Sequence, residues 1–335
     1  MLKKVGLFLL MLCFILSTGC SSSKQVVIYT SVDQVVAEPI LKDFEKTTGI
    51  QVRAVYDVES TKTTGLVNRL LTEKNRPQAD VFWSSEFVQT LLLKNEGLLT
   101  TYSSPSAQSI PPIYKDPEGF WTAFAGRARV ILVNTDLLTP DQYPESVLDF
   151  ADPVKASNHY GLAYPLFGTT LNQAAALYAY LGPEKARSFF ENVNKLGVRV
   201  VDGNSVVRDM VAEGQLAAGL TDTDDAWDAV EKGKPVKIIF PDQDSMGTLV
   251  IPDTIALIKG GPNPDTGKQL LDYLLSPQVE KNMVEIGFSQ IPVHPVAEQK
   301  MELPAGGVKN MPVTFQEIYN QLNLSSKELK EIFVR

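Results

Sequence analysis

Cysteine is almost missing from this chain of 335 residues. The two that occur, Cys13 and Cys20, both fall within the first twenty positions. Beyond them there is no thiol, which excludes a disulfide framework, Cys-ligated zinc and a thiol nucleophile from the body of the protein. Histidine is scarce too, with only His159 and His294. Neither sits in a His-Glu-x-x-His pattern or beside a Gly-x-Ser-x-Gly elbow, so two large hydrolase classes have no motif here. His294 lies between Pro292 and Pro295, a loop context, and both histidines are expected at the surface. The glycine patterns of P-loop and dinucleotide-binding proteins are absent. Positive charge is in deficit: 31 Lys and Arg against 39 Asp and Glu give a formal charge of −8. An acidic body argues against nucleic acid and against binding an anionic bilayer through surface charge. After residue 20 there is no long apolar run, and no internal repeat.

What is present begins at the N-terminus. Lys3 and Lys4 precede the apolar run Val5 to Leu16, and Ser17-Thr18-Gly19-Cys20 follows. A basic start, a short apolar core and small residues before a cut site make a secretory signal, shorter than the ~20 residues a membrane span needs. With cysteine directly after Gly19, the segment resembles a bacterial lipoprotein signal. That resemblance implies cleavage before Cys20, a lipid on its sulfur, and a body tethered outside the cytoplasm in the bacterial cell envelope. Residues 1–19 are then the signal and 20–25 a polar tether, with lipid as the only membrane contact. The 316 residues that remain carry a formal charge of −10, because Lys3 and Lys4 leave with the signal. That length suffices for two lobes with separate cores.

Strand and helix signals alternate from Val26 onward. Val26 to Thr30 reads as a buried strand. A helix follows with Val36, Ile40, Leu41 and Phe44 on one face and Gly49 at its end; Pro39 predicts a kink within it. Strands at 51–56 and 80–83 flank a helix over 63–74, and a helix over 86–96 comes next. The β-rich run from Trp121 to Asn134 is longer than an ordinary strand and is expected to cross between lobes. A second α/β series occupies 160–220. Residues 247–258 are β-rich again, broken at Pro252-Asp253, and offer a second crossing. Helices are expected at 266–275, 278–286, 313–322 and 326–333. The fold class is therefore α/β, with two doubly wound lobes joined by a two-segment hinge. The expected division is 26–126 with 254–297 for lobe one, and 127–253 with 298–335 for lobe two. A hinged cleft follows from that arrangement.

Three corners suit an anion. Gly168-Thr169-Thr170 leads from a strand into a helix and offers backbone N–H groups and hydroxyls at a positive helix end, although threonine is also an ordinary N-cap. Thr61-Lys62 adds a cation to a second corner, and Asp202-Gly203-Asn204-Ser205 makes a third. Arg127 and Arg129 share a side-chain direction on an extended run; an arginine there either clamps an anion or bridges the lobes. Asp222, Asp224 and Asp225 fall within four residues at a strand-to-helix edge. A cap and a helix dipole account for one or two of these acids; a bound cation or ammonium accounts for the set. Asp33 and Glu86 follow strands in the same manner.

These residues resemble those of the solute-binding proteins of bacterial ABC importers, with the type 2 periplasmic-binding fold, and within it the ferric-iron-binding branch. The matching stretches are Val27 to Thr30, Ala79 to Trp83, Gly126 to Val130, and Asn204 to Val206 through Glu213-Gly214. The resemblance implies a non-enzymatic monomer that captures a small molecule and delivers it to a permease and its ATPase. It implies ligand-binding roles for Asp33, Thr61, Lys62, Ser85, Glu86, Arg127, Gly168, Thr169, Thr170, Asn204, Asp224 and Asp225. In the iron-binding branch two adjacent tyrosines, often with a histidine and a glutamate, hold ferric iron beside a bound anion. Here Asp224-Asp225 stand at the tyrosine pair, Asp33 at the histidine, and Ser85 or Glu86 at the glutamate. Two solute classes follow. One is a phosphorylated or phosphonate solute, or a cation assisted by an anion. The alternative is Fe3+ or another hard metal with a synergistic anion, held by Asp33, Glu86, Asp224 and Asp225.

Overall fold

The computed structural model describes residues 24–57, 64–156, 159–295 and 301–333. The leader, Cys20, Thr61 and Lys62 lie outside the described residues. Strand β1 (Gln25–Thr30) runs parallel to β2 (Gln51–Tyr56) and β3 (Val81–Ser84). Its β-branched Val26 and Ile28 are fully buried, as a strand covered on both faces requires. The long strand β10 (Val250–Ile258) is antiparallel to β3, to the short β4 (Leu99–Thr100) and to β5 (Thr122–Asn134). In the second sheet β5 is antiparallel to β8 (Ala218–Asp222) and β9 (Val236–Ile239), while β6 (Tyr160–Ala163) is parallel to β7 (Arg199–Val201) and β8.

All 13 residues of β5 are buried. Thr122 to Ala128 pair with β10, and Arg129 to Asn134 pair with β8 and β9. One continuous strand therefore belongs to both sheets. The lobe boundaries read from the sequence fall inside β5 and β10. The expected break at Pro252-Asp253 is a shift of register against β5. Opposite it, Ala125 has φ +51°, the left-handed region that non-glycine residues rarely occupy. Its N–H is turned out of the ladder and donates to Glu280 Oε1 at 2.7 Å. The same carboxylate accepts from Val293 N at 2.6 Å and His294 N at 2.7 Å. Burial raises Glu280 above the usual carboxylate range, and the three backbone N–H groups pull it back down only in part.

The first sheet is covered by α1 (Gln34–Thr48), α2 (Thr64–Thr72), α3 (Val88–Asn95), α8 (Pro264–Leu274) and α9 (Pro277–Glu285). The second carries α4 (Gly168–Leu181), α5 (Pro183–Lys195), α6 (Asn204–Ala212) and α7 (Thr223–Glu231). Helix α1 buries Ala37, Ile40, Leu41 and Phe44, and Gly49 at φ +70° closes it by donating to Glu45 O at 2.9 Å. It runs unbroken through Pro39, against the predicted kink. The bond that proline forfeits is to the carbonyl of Val35, in the first turn, where the ladder is barely established. The two helices predicted after residue 313 form one, α10 (Phe315–Ile332), because nothing between Leu322 and Ser326 breaks a helix. Thr314 and Glu317 start it with a capping box. It packs on α4 and α5 and also reaches α3. Phe315 stacks on Phe87 with ring centroids 4.2 Å apart. His294 corrects the surface expectation: it is buried, with Nδ1 against Ser109 Oγ at 2.8 Å and Nε2 against Leu275 O at 2.9 Å. His159 is exposed, as expected.

Candidate functional site

The helices α4, α6 and α7 all begin where strands of the second sheet end. Their N-terminal residues Gly168, Asn204 and Asp224 line one cavity of about 540 Å3. Residues from the other side complete it: Asp33, Ser85 and Glu86 follow β1 and β3, and Arg127 comes from β5. Strand ends of an α/β sheet are where its loops form clefts. Of the expected ligand residues, Asp33, Ser85, Glu86, Arg127, Gly168, Thr169, Thr170, Asn204, Asp224 and Asp225 all line this cavity. A second cavity of about 460 Å3 lies around Tyr114, Trp121, Met311 and Phe315. Its walls are mainly apolar, and Lys94 at its edge is paired with Asp116 and Glu118.

The anion corner has a centre the sequence reading underused. Arg129, with no exposure, donates from Nη1 to Asp222 Oδ1 at 2.7 Å, Asn204 Oδ1 at 3.1 Å and Thr169 Oγ1 at 3.3 Å. Its Nε donates to Gln173 Oε1 at 3.1 Å. Asp222 Oδ2 accepts from Thr169 Oγ1 at 2.6 Å and Asn204 Nδ2 at 3.0 Å. Thr170 Oγ1 donates to Asn204 Oδ1 at 3.3 Å. Thr169 and Asn204, expected to hold a solute's anion, thus bond to a carboxylate of the chain itself. The period-two spacing of Arg127 and Arg129 did place both guanidiniums toward the cavity walls. What it could not show was which of them reaches Thr169 and Asn204.

Arg127 serves a different purpose. Its Nη2 donates to the Ser85 carbonyl, its Nη1 donates to Asp224 Oδ2 at 3.3 Å, and its guanidinium lies 5.2 Å from the Phe288 ring centroid. Asp253 Oδ1 is 3.6 Å from Nη2. One side chain thus ties together the end of β3, the start of α7 and the part of β10 opposite the bulge. Burial alone would lower Arg127, but Asp224, Asp253 and Asp222 outweigh it and hold the guanidinium firmly charged. Asp253, fully buried, is pushed up to about 7 by that burial, against the opposing pull of Arg127 and of a Trp83 indole N–H at 2.9 Å.

The remaining acids are similarly engaged. Arg208 bonds Asp225 at 3.2 Å and Asp228 at 3.0 Å. Glu86, expected as a ligand, is buried and caps α3 by accepting from Val88 N at 2.6 Å and Gln89 N at 3.1 Å. Asn172 Nδ2 of α4 donates to it at 3.0 Å, which links the two sides of the cavity. Burial raises Glu86 above the usual range. The carboxylates of Asp222, Asp224 and Asp225 have oxygens within 4.8 Å of one another, close enough to share one cation. Asp202, the first residue of the third corner, also lines the cavity, as does Arg208, which the sequence reading did not name. Arg208 sits a turn into α6, where an arginine carries no local signal of a site.

Comparison with known proteins supports this reading of the fold. A family model described as bacterial extracellular solute-binding protein matches residues 76–317. The major ferric iron-binding protein of Neisseria meningitidis serogroup B is 25% identical over 290 residues, spanning 84% of each chain. A ferric binding protein from Campylobacter jejuni superposes with a TM-score of 0.82 at 24% identity, over 92% of this chain and 100% of that one. The periplasmic binding protein AfuA from Actinobacillus pleuropneumoniae, solved with exogenous fructose-6-phosphate bound, gives 0.78 at 23% identity, over 92% of this chain and 99% of that one. These likenesses establish the two-lobed type 2 periplasmic-binding architecture. The family model covers well over half the sequence, and the chain belongs to the bacterial extracellular solute-binding proteins.

Proposed function

We propose that this protein is the capture component of an ABC importer. It takes one small polar solute that carries a positive charge into the 540 Å3 cavity and delivers it to a permease driven by a separate ATPase. Two lobes, divided at 126/127 and 253/254, close on the solute, and no bond is made or broken. The observation that carries the choice of charge is the cavity lining. Among the described residues, Asp33, Glu86, Asp202, Asp222, Asp224 and Asp225 line it with Arg127 and Arg208, and Arg129 lies behind Asp222, so acids outnumber cations six to three. An organic ammonium group takes one oxygen from each of several carboxylates without displacing their arginine partners. Closure follows from differential contact, because a solute touching both Asp33 and Asp224 does so only when the lobes are together. Cys20 supplies the lipid anchor in the cell envelope.

A second reading is a hard metal ion as the cargo, favoured by the proximity of Asp222, Asp224 and Asp225. It has to compete with Arg129, Arg127 and Arg208, each of which already pairs with one of those carboxylates.

Native mass spectrometry of the purified protein, followed by titration with ammonium-bearing solutes and their uncharged analogues, tests the choice. Uptake of the ammonium compounds alone is expected, weakened at least about tenfold in the double variant Asp224→Asn, Asp225→Asn. An added mass that chelation removes would transfer the assignment to the metal. Uptake of uncharged or anionic compounds only would sink both.

A further inference from the structure

Asp222 ends β8 and stands at the N-cap of α7, where an aspartate ordinarily accepts an N–H of its own helix. Its side chain makes no such cap bond. It turns instead into the corner formed by the starts of α4 and α6. There Arg129 Nη1 reaches it at 2.7 Å, Thr169 Oγ1 at 2.6 Å and Asn204 Nδ2 at 3.0 Å. One guanidinium, one hydroxyl and one amide converging on a pair of oxygens is the donor set that holds a phosphoryl or carboxylate oxyanion. Both members of the central pair are sequestered, Arg129 with no exposure and Asp222 with 5%. A third acid beside Asp224 and Asp225 is otherwise hard to account for, since these two already complement the helix dipole in the first turn of α7.

We infer that Asp222 is a resident anion: the chain's own carboxylate fills the oxyanion corner and so fixes the charge class of the solute. This rests on reading the cavity as the solute site. The corner then needs no free phosphate or other co-bound anion. An incoming oxyanion finds the donors engaged and a fixed negative charge in its place. Asp222 is thus a specificity-determining residue that repels one class of solute, in addition to any attraction the neighbouring acids supply.

The test uses inorganic phosphate and formate as probes on wild type, Asp222→Ala and Asp222→Asn, read by calorimetric titration and by melting temperature. Wild type should bind neither anion and show no shift. Asp222→Ala opens a carboxylate-sized gap facing Arg129. It should bind formate or phosphate at least about tenfold more tightly than wild type and recover melting temperature as the anion is added. Asp222→Asn fills the same gap without charge and should gain much less. Binding of phosphate or formate to wild type, with a rise in its melting temperature, would overturn the inference, and this arm stands even where the alanine variant does not fold. An alanine variant that folds and ignores both anions would overturn it as well. The two readings fail separately. Phosphate uptake by wild type removes the resident anion but leaves the cavity as a solute site. Wild type that takes up no solute of either charge, with anion rescue of Asp222→Ala intact, removes the solute site and leaves the resident anion.

Discussion

At the scale of single residues, Arg129 and Asp222 depend on each other. Removing one partner of a buried ion pair leaves the other charge uncompensated, which typically costs about 3–5 kcal/mol. Arg129→Met should therefore destabilise the protein by about that amount in urea unfolding, far more than the loss of an exposed pair such as Lys42–Glu38. An unchanged midpoint would mean that Asp222 is solvated. Asp253 gives a pH signature of its own. Its folded-state value of about 7 lies above the ordinary 3.8, so the folded protein holds this proton more tightly than the unfolded chain. The sign follows: stability contributed by this group is full below pH ~4, falls as pH rises to about 7, and is level above that, over a span of at most about 4 kcal/mol. Asp253→Asn should abolish that slope, so the stability gap between variant and wild type should change only within this window. Urea titrations at a series of pH values would show it, and parallel curves would refute it.

At the scale of elements, Glu280 of α9 acts as the clasp of the hinge. Its carboxylate holds the backbone N–H groups of Ala125, Val293 and His294, all buried. Glu280→Ala orphans three donors, at about 1–3 kcal/mol each, and leaves the left-handed Ala125 unsupported. We expect a loss of at least about 3 kcal/mol in urea unfolding. Hydrogen exchange should show the loosening concentrated at 122–128 and 291–294. The clasp was not legible in the sequence, because a glutamate 155 positions from its partner leaves no local pattern. What was legible is local. Val26 to Thr30 and Val130 to Val133 announce strands by β-branched runs, and Gly168, Asn204 and Asp224 mark strand-to-helix corners by their turn and cap chemistry. The short β9, with the polar Lys237 in its middle, went unnoticed because four residues carry too little pattern. Thr61-Lys62 lies outside the described residues, while the corners at Gly168 and Asn204 do line one cavity with the acids of α7. Their internal pairing, Arg129 to Asp222 across 93 positions, only the folded chain could reveal.

At the scale of the whole molecule, the two sheets share β5 and meet again where Asn172 of α4 donates to Glu86 at the start of α3. That bond forms only when the two sides of the cavity are together. Asn172→Ala removes it, together with one of the few compensations for a buried carboxylate, and shifts the opening equilibrium by about 1–3 kcal/mol. Solution scattering of the solute-free protein should then report a larger radius of gyration than wild type. Equal radii would show that the contact does not set the resting opening.

The placement of β10 also has a consequence for how the molecule is made. In the first sheet it lies between β3 and β5, although it is the last strand to be synthesised. Every strand of the second sheet precedes it in the chain. A chain emerging from its N-terminus therefore has β6 to β9 in hand while the first sheet still lacks the strand that joins β3 to β5. The earlier part of the chain waits with the edges of β3 and β5 unpaired until residues 250–258 arrive. The half of the protein made first is finished last.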